Sequence, residues 1–275
     1  MMLGSGAVIK DGSSAALAGD SALAIKTATG TNTDGVYWIN LPIVGPTQIY
    51  CIMDSNWDGG GWMMAMKATR GTTFNYSANY WTTDNTLNPT QTNQNDGDAK
   101  FETMNKFAAK DIMARWPDIG QGGSIAGRGA WTWLENNFNG GTRQSLISFF
   151  TTPSNLTLGS GLGGSGYFLR DAKTFTGWAS GVFSSQLDIR FYGFNYTSRQ
   201  GPYYTNAKVR WGFGWNENGE GLFPSSSSAA AGSNDVSGGI GMDSNWGNYS
   251  AGDYIACCQD TTGINRSARV EMYIR

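Results

Sequence analysis

Residues 51–66, CIMDSNWDGGGWMMAM, decide how this chain folds. The two ends of the stretch are apolar and have the composition of short strands, and its centre is acidic and rich in glycine. This centre is typical of a turn, because Gly adopts positive φ at no steric cost and Asp bonds to its own backbone. The pattern predicts two strands joined by a loop.

The same loop supports a second interpretation, a calcium site. Asp54, Asn56, Asp58 and Gly59 have the spacing of positions one, three, five and six of a calcium-binding loop. The bidentate glutamate of position twelve would fall on Ala65, which offers no side-chain oxygen. We therefore favour the turn and keep Asp54, Asn56 and Asp58 as secondary metal candidates.

Composition predicts an α+β fold with short antiparallel sheets, few helices and many long loops. The chain has 275 residues, among them 11 Trp, 12 Tyr, 13 Phe and 39 Gly. Charged residues make up 15% of the chain, whereas about 25% is typical of globular domains. A chain so rich in aromatic residues and glycine fits a compact, loop-rich domain better than a helical bundle.

Charge and hydropathy argue against nucleic acid and membrane as partners. The net charge is −2 and no long basic run is present, whereas phosphate binding needs a basic patch. No stretch approaches the roughly 18 apolar residues of a membrane span. The sequence also predicts no signal peptide, because no basic region followed by an apolar one opens the chain.

The side-chain inventory argues against an enzyme. The chain contains no histidine, which removes the common nucleophile–base pairs and histidine-ligated zinc. Its three cysteines, Cys51, Cys257 and Cys258, are a poor disulfide framework, because the count is odd and two are adjacent. We expect free, buried thiols and no catalytic residues.

The chain divides into an arm and one domain. Residues 3–33 are rich in Gly, Ala, Ser and Thr and have few large side chains. We therefore expect residues 1–33 to form an extended N-terminal arm that attaches the protein to its partners. Aromatic residues become dense after Asp34, which predicts a single domain over 34–275.

Local patterns predict strands, loops and two helices within that domain. Strands are predicted at 36–40, 48–53, 62–67 and 208–213, with a half-buried terminal strand at 269–275 and loops at 85–98 and 151–166. Phe101, Met104, Ala108 and Ile112 follow helical spacing after a possible cap at Asp98, and Pro117 would end that helix. A second helix is predicted over 143–150.

Several segments, in this order, resemble the fibrinogen-like domain, and more closely its intelectin branch. They are GVYWI (35–39), the Tyr-Cys and Gly-Gly-Gly-Trp elements of 50–62, AKDI (109–112), GLFP (221–224) and ARVEMYIR (268–275). The resemblance covers residues 21–275. Ser21 stands where the family has its first framework cysteine, which leaves Cys51 without a disulfide partner.

Cysteine-poor fibrinogen-like domains of this kind resemble those on structural proteins of marine tailed bacteriophages. The resemblance implies a fibre or spike protein of the virion that is assembled in the host cytoplasm and released by lysis. It also implies recognition of host-surface glycan, contact with other virion proteins through the arm, and a homo-oligomer, for example a trimer. The alternative is a head or neck decoration protein without a ligand.

Oxygen-bearing side chains suggest a calcium ion in the distal half of the chain. They alternate before a glycine at Asn216, Glu217, Asn218 and Glu220. The resemblance implies Asn216, Asn218, Glu220 and Asp235 as ligands, with Glu217 as a weaker candidate. Ser225 stands where intelectins have a second glutamate, so the resemblance implies a structural Ca²⁺ rather than one that holds a sugar directly.

Aromatic and amide side chains near the C-terminal end suggest the glycan site. The sequence MDSNW at 53–57 recurs at 242–246, which predicts two exposed loops with the same turn. The resemblance places Trp246 beside the sugar with Tyr254 as its partner, where rings can stack on apolar sugar faces. Asn245, Asn248 and Tyr249 add hydrogen-bonding groups.

A third hypothesis is a glycan-degrading enzyme. It requires two carboxyl groups about 5–10 Å apart across a cleft. The densest acidic group contains Glu217, Glu220, Asp235 and Asp243. Calcium binding or turn formation accounts for these residues better, so we favour a binding or structural protein.

Overall fold

The computed structural model describes residues 8–117, 131–152, 156–163, 188–197, 208–216, 236–244, 247–254 and 266–275, and it confirms an α+β protein. The described strands are β1 (Gly35–Leu41), β2 (Gly45–Ile52), β3 (Trp62–Ala68), β4 (Ala99–Lys100), β5 (Ile112–Trp116), β6 (Trp131–Glu135), β7 (Leu156–Gly163), β8 (Asp188–Thr197), β9 (Lys208–Asn216), β10 (Val236–Ser244), β11 (Gly247–Tyr254), β12 (Arg266–Ser267) and β13 (Val270–Ile274). The described helices are α1 (Ala22–Thr29), α2 (Glu102–Lys106) and α3 (Leu146–Thr151), with 3-10 turns at Ala15–Leu17 and Asn79–Trp81. None of these helices is long and apolar enough to cross a membrane.

The first sheet is antiparallel and has the order β1-β2-β3-β13-β5-β6, with β4 also paired to β3. Strand β13 lies in its middle, where Val270 pairs with Ala68 of β3 and Ile274 pairs with Ile112 of β5. The prediction of a terminal strand is confirmed, but its half-buried character is wrong. All five residues of β13 are buried, because a central strand is paired along both edges and covered on both faces.

The loop of residues 53–61 joins β2 to β3, as its glycine-rich turn chemistry predicts. The two strands pair antiparallel through Cys51 with Met63 and Ile52 with Trp62. Gly60 has a φ of 74°, and a Cβ there would lie 2.4 Å from the carbonyl oxygen of Met53. A larger residue would therefore push the loop away from the end of β2.

The second sheet is an antiparallel meander with the order β12-β11-β10-β9-β8-β7. The strand predicted at 208–213 is confirmed as β9 and extends to Asn216. The loop predicted at 151–166 is wrong in part, because residues 156–163 form β7. Pairing with β8 supplies the hydrogen bonds that hold this Gly- and Ser-rich segment extended.

An aromatic core joins the two sheets. Trp133 of β6 meets Trp211 of β9 edge to face, with ring centroids 5.7 Å apart. Trp211 in turn stacks on Phe194 of β8 at 5.4 Å. Pairs of this geometry contribute about 0.5–1.5 kcal/mol each beyond the area they bury. The large number of aromatic residues in the sequence thus fills the space between the sheets.

The prediction of buried thiols is confirmed at the one cysteine that the structure describes. Cys51 is a free, fully buried thiol in the core of the first sheet. Burial raises the pKa of this thiol, and the negative charge of Asp34 raises it further. Cys257 and Cys258 lie outside the described residues.

The long helix predicted after Asp98 is wrong, since only Glu102–Lys106 is helical and Ile112–Trp116 is a strand. Asp98 does not cap the helix. Its carboxylate instead accepts a hydrogen bond from the backbone N–H of Thr69. The apolar spacing fits a helix, but pairing of β5 with both β13 and β6 overrides that local preference. The second predicted helix is confirmed as α3, which Ser145 caps.

Residues 8–33, part of the predicted arm, pack against the first sheet. Ser21 caps α1 by accepting a hydrogen bond from the N–H of Ala24, and Gly30 ends the helix with a φ of 70°. The side chains of Ala22 and Ile25 are fully buried in the core of this sheet. Small residues thus let the segment approach the sheet closely, and its role in attachment stays a prediction.

Arg275 fastens the 53–61 loop to β13. Its Nη1 donates to the carbonyl oxygens of Asp58 and Gly60 at 2.7 and 3.0 Å. Its Nη2 lies 3.1 Å from the carboxylate of Asp58 and 3.0 Å from that of Asp111. The guanidinium carbon also lies 4.1 Å from the ring centroid of Trp62. One half-buried cation therefore holds together the loop, β13 and the start of β5.

Glu271 is a second charge on β13, and it is completely buried. Its carboxylate lies 2.8 Å from Arg269 and 3.4 Å from Arg115. It also accepts a 2.8 Å hydrogen bond from the hydroxyl of Tyr273. Burial raises the pKa of Tyr273, and the charge of Glu271 adds to that effect. These partners offset the cost of removing a carboxylate from water.

We predict that Arg275→Ala lowers the free energy of unfolding by about 2–4 kcal/mol, because it leaves partly buried carboxylate and carbonyl groups without their donor. Urea denaturation measures the change. Arg70→Ala is the matched control, because Arg70 pairs with Asp96 at the surface, where both side chains are more than 40% exposed. Its expected cost is below about 1 kcal/mol. Equal losses in the two variants would contradict this role of Arg275.

The lowered pKa of Lys100 predicts that the free energy of unfolding increases with pH in the alkaline range. Burial lowers the pKa of Lys100 from 10.5 to about 8, while Asp84 and Glu102 partly oppose that shift. The unfolded chain therefore holds more protons than the folded one between these two values, so the unfolding free energy increases with pH there.

The unfolding free energy of the wild type should increase by about 1–2 kcal/mol relative to that of Lys100→Met between pH 8 and 10.5. This figure already includes a reduction for solvent screening. Chemical denaturation of both proteins across this range measures the difference. Parallel pH profiles would show that Lys100 carries its ordinary charge in the folded state.

Candidate functional site

The register of the second sheet fixes where the predicted ligand-binding residues lie. At one end, Asn216 pairs with Asp188, Val236 pairs with Trp215, and Tyr254 pairs with Ser237. We call this the 216/254 end. At the opposite end, Asp243 pairs with both Lys208 and Asn248, beside the turn that joins β10 to β11. We call this the turn end.

The predicted calcium ligands belong to the 216/254 end as far as they are described. Asn216 is the last residue of β9, and Val236, which follows Asp235 in the chain, is the first of β10. The remaining predicted ligands, Glu217, Asn218, Glu220 and Asp235, lie outside the described residues, as does the 221–224 motif. The backbone thus brings the residues on either side of the 217–235 segment to the same end of the sheet.

The predicted glycan residues divide between the two ends. Asn248 and Tyr249 lie at the turn end, and Asn245 and Trp246 lie outside the described residues. Tyr254 lies six positions along β11 from Asn248, a separation of roughly 20 Å in an extended strand. A single sugar ring cannot contact residues at both ends, so the register separates Tyr254 from Asn248 and Tyr249.

Asp243 at the turn end holds a loop from the other half of the chain. Its carboxylate accepts hydrogen bonds from the backbone N–H groups of Tyr76 and Ser77, both at 3.1 Å, and from the hydroxyl of Ser77. A carboxylate with three donors is well satisfied. The second MDSNW copy therefore uses its aspartate to bind the protein's own 76–77 backbone.

Tyr76 and Arg210 extend this cluster, and sequence reasoning missed both. Arg210 lies over the Tyr76 ring at 4.1 Å, and its Nε donates to the Tyr76 carbonyl at 2.9 Å. The ammonium of Lys208 lies 5.7 Å from the same ring. Burial raises the pKa of Tyr76 and lowers that of Arg210. No sequence signal pairs these residues, because more than a hundred positions separate them.

Among the described residues, the turn end offers solvent one exposed predicted binding group and one partly exposed one. Asn248 is exposed, and its amide can donate and accept hydrogen bonds. Tyr249 is half-buried and packs against Tyr196, Val209 and Met242. Its ring therefore supports the turn end as well as facing solvent in part.

In the first MDSNW copy, the aspartate side chain bonds within its own turn. The carboxylate of Asp54 accepts a 2.9 Å hydrogen bond from the N–H of Asn56, and Asp58 adopts a φ of 49° and pairs with Arg275. These contacts use carboxylate oxygens that a calcium ion would need. Among the described residues, no group of three or more acidic, cysteine or histidine side chains could hold a metal ion.

Comparisons with family models and with curated proteins provide no relative for this chain. No family model matches it, and no curated protein matches it at a significant level.

The two MDSNW copies provide a matched test of this geometry. We predict that Asp243→Ala lowers the free energy of unfolding by about 2 kcal/mol, because it removes a charged acceptor from two N–H groups and one hydroxyl. Asp54→Ala, which removes an acceptor within one turn, should cost less than about 1 kcal/mol. Thermal and urea unfolding measure both. The reverse order of losses would show that Asp243 does not fasten the 76–77 loop.

Proposed function

We propose that this chain is a fibrinogen-like, lectin-type domain of a bacteriophage virion appendage, and that it binds host-surface glycan. The observation that carries the proposal is the position of the segments that resemble this family. Segments 35–39 and 50–62 lie about 200 positions before segment 268–275, yet all three contribute to the neighbouring strands β1, β2, β3 and β13 of one sheet. The 109–112 segment ends at the first residue of β5, beside β13.

The proposed role is binding rather than catalysis. The chain has no histidine, and the described acidic residues with the closest partners serve the fold. Asp58 and Asp111 pair with Arg275, and Glu271 pairs with two arginines. These contacts favour structural duties for the carboxylates over the paired acid and base of a glycosidase.

The turn end is the proposed glycan surface. It contains Asn248, which is exposed, and the chain positions of Asn245 and Trp246, whose amide and indole suit a sugar's hydroxyls and apolar face. The proposed calcium belongs to the 216/254 end instead. Because the strand separates the two ends by roughly 20 Å, calcium would support the domain without touching the sugar.

A decoration protein without a glycan ligand is the second candidate. Exposed apolar side chains at Val8, Ile9 and Ile43, which are 72%, 59% and 96% accessible, favour contacts with other proteins. Val8 and Ile9 belong to the segment expected to attach the protein to the virion. Electron microscopy of the particle would distinguish a fibre or spike from a capsid decoration by its location.

Glycan binding is tested on a printed array of bacterial surface polysaccharides, with and without a calcium chelator. We expect binding of the wild type, a loss of about tenfold or more in Asn245→Ala and Trp246→Ala, and a smaller effect of chelation. Asn56→Ala is the matched control in the first MDSNW copy and should bind like the wild type. Absence of binding in both conditions would refute the receptor-binding proposal.

A further inference from the structure

The turn between β1 and β2 exposes an unusual side chain. Leu41 pairs with Gly45, so Pro42, Ile43 and Val44 form the turn. Ile43 is 96% accessible and Val44 is 44% accessible. The tip of this turn is therefore apolar and projects fully into solvent.

The backbone of Ile43 is as unusual as its exposure. Its φ of 71° lies in the left-handed region, where a β-branched side chain is sterically disfavoured. The other described non-glycine residues with positive φ are Asp58, Asn88, Asn137 and Asn195, which are types that tolerate it. Since Ile43 buries almost no surface in the monomer, packing within one chain does not account for an isoleucine there.

A shallow groove lies beside this tip. It is lined by Asp20, Asn40, Pro42, Phe107, Ala108 and Arg143. Phe107 is half-buried and Ala108 is exposed, so the groove offers apolar surface next to the apolar tip. Arg143 donates a 3.2 Å hydrogen bond to the carbonyl of Ala108, which holds its charge at the rim.

The rim of the groove carries opposite charges. Asp20 and Arg143 are both exposed, and neither forms an ion pair with another described residue. A patch that contains both an apolar tip and an apolar groove, together with one acidic and one basic group, complements a copy of itself. Under a two-fold axis, the tip of each copy meets the groove of the other, and Asp20 of each copy faces Arg143 of the other.

We propose that the β1–β2 tip and this groove form a two-fold interface between two copies of the chain, with Ile43 of each copy inserted into the groove of the other. A three-fold ring would require the tip and the groove to lie on different faces, whereas Pro42 lines the groove and Ile43 is the next residue. The inference does not rest on glycan binding, and it replaces the expected trimer by a dimer at this surface.

The interface is small. Stable complexes bury about 800 Å² on each partner, which is more than one turn and a shallow groove provide. We therefore expect dissociation near about 0.1 mM rather than in the nanomolar range. Weak pairing of this kind would strengthen glycan binding through multivalency on a densely decorated surface.

Sedimentation equilibrium of the full chain up to about 0.5 mM tests the dimer, a range that covers the expected dissociation constant. We expect the wild type to dimerise and Ile43→Asn to stay monomeric while its Tm rises by about 2–4 °C, because Asn tolerates positive φ. Opposite effects on association and on stability separate an interface role from a structural one. Ile9→Asn is the control, because Ile9 is an exposed isoleucine that does not line the groove, and it should dimerise like the wild type.

Charge reversal tests the orientation. Asp20→Lys and Arg143→Glu should each weaken the dimer about tenfold or more, and the double variant should restore it, because the opposite charges face each other again. A monomeric wild type, a trimer, or an unchanged dimer in Ile43→Asn would overturn the proposal. Glycan binding by a monomeric protein would overturn the dimer alone and leave the proposed function intact.

Discussion

The structure depends on charged side chains that lie on the central strand of the first sheet. Strand β13 supplies the middle of the first sheet, and it carries Glu271 within the strand and Arg275 directly after it. A buried charge is tolerated where its partners are complete. Glu271 is satisfied by Arg115, Arg269 and Tyr273, and Arg275 by the 53–61 loop and Asp111. Arg115 lies on β5, Asp111 lies directly before it, and the 53–61 loop joins β2 to β3, so the charges of β13 also fix its register against these neighbours.

The loop that follows β3 connects the first sheet to the second through hydrogen bonds of its backbone. Asp243 and Arg210 both bind the backbone of Tyr76, and the hydroxyl of Ser250 accepts a hydrogen bond from the N–H of Phe74. The aromatic core then fills the space between the sheets. The turn end is therefore built on a rigid base from both halves of the chain, which suits a surface that must present groups to a ligand in a fixed arrangement.

Elements whose pattern is local could be predicted from the sequence, and those decided by distant contacts could not. Strands β1 to β3 follow from short strand-like runs and turn chemistry within a few residues. Segment 112–116 has the apolar spacing of a helix and becomes a strand because β13, from far along the chain, pairs with it. Strand β7 was missed because its Gly and Ser show no strand preference of their own. Strand register separates Tyr254 from Asn248, and neither composition nor motif matching predicts register.

The position of β13 also sets the order in which the protein can become complete. Strand β6 ends at Glu135 and β13 begins at Val270, so β3 and β5 are both synthesised long before the strand that joins them. Without β13, the first sheet divides into two parts, each with an open edge that carries unpaired N–H and C=O groups. Open edges of this kind pair readily with strands of other chains. The growing chain is therefore vulnerable to misassociation until β13 has been synthesised, and insertion of this one short strand closes both edges at once.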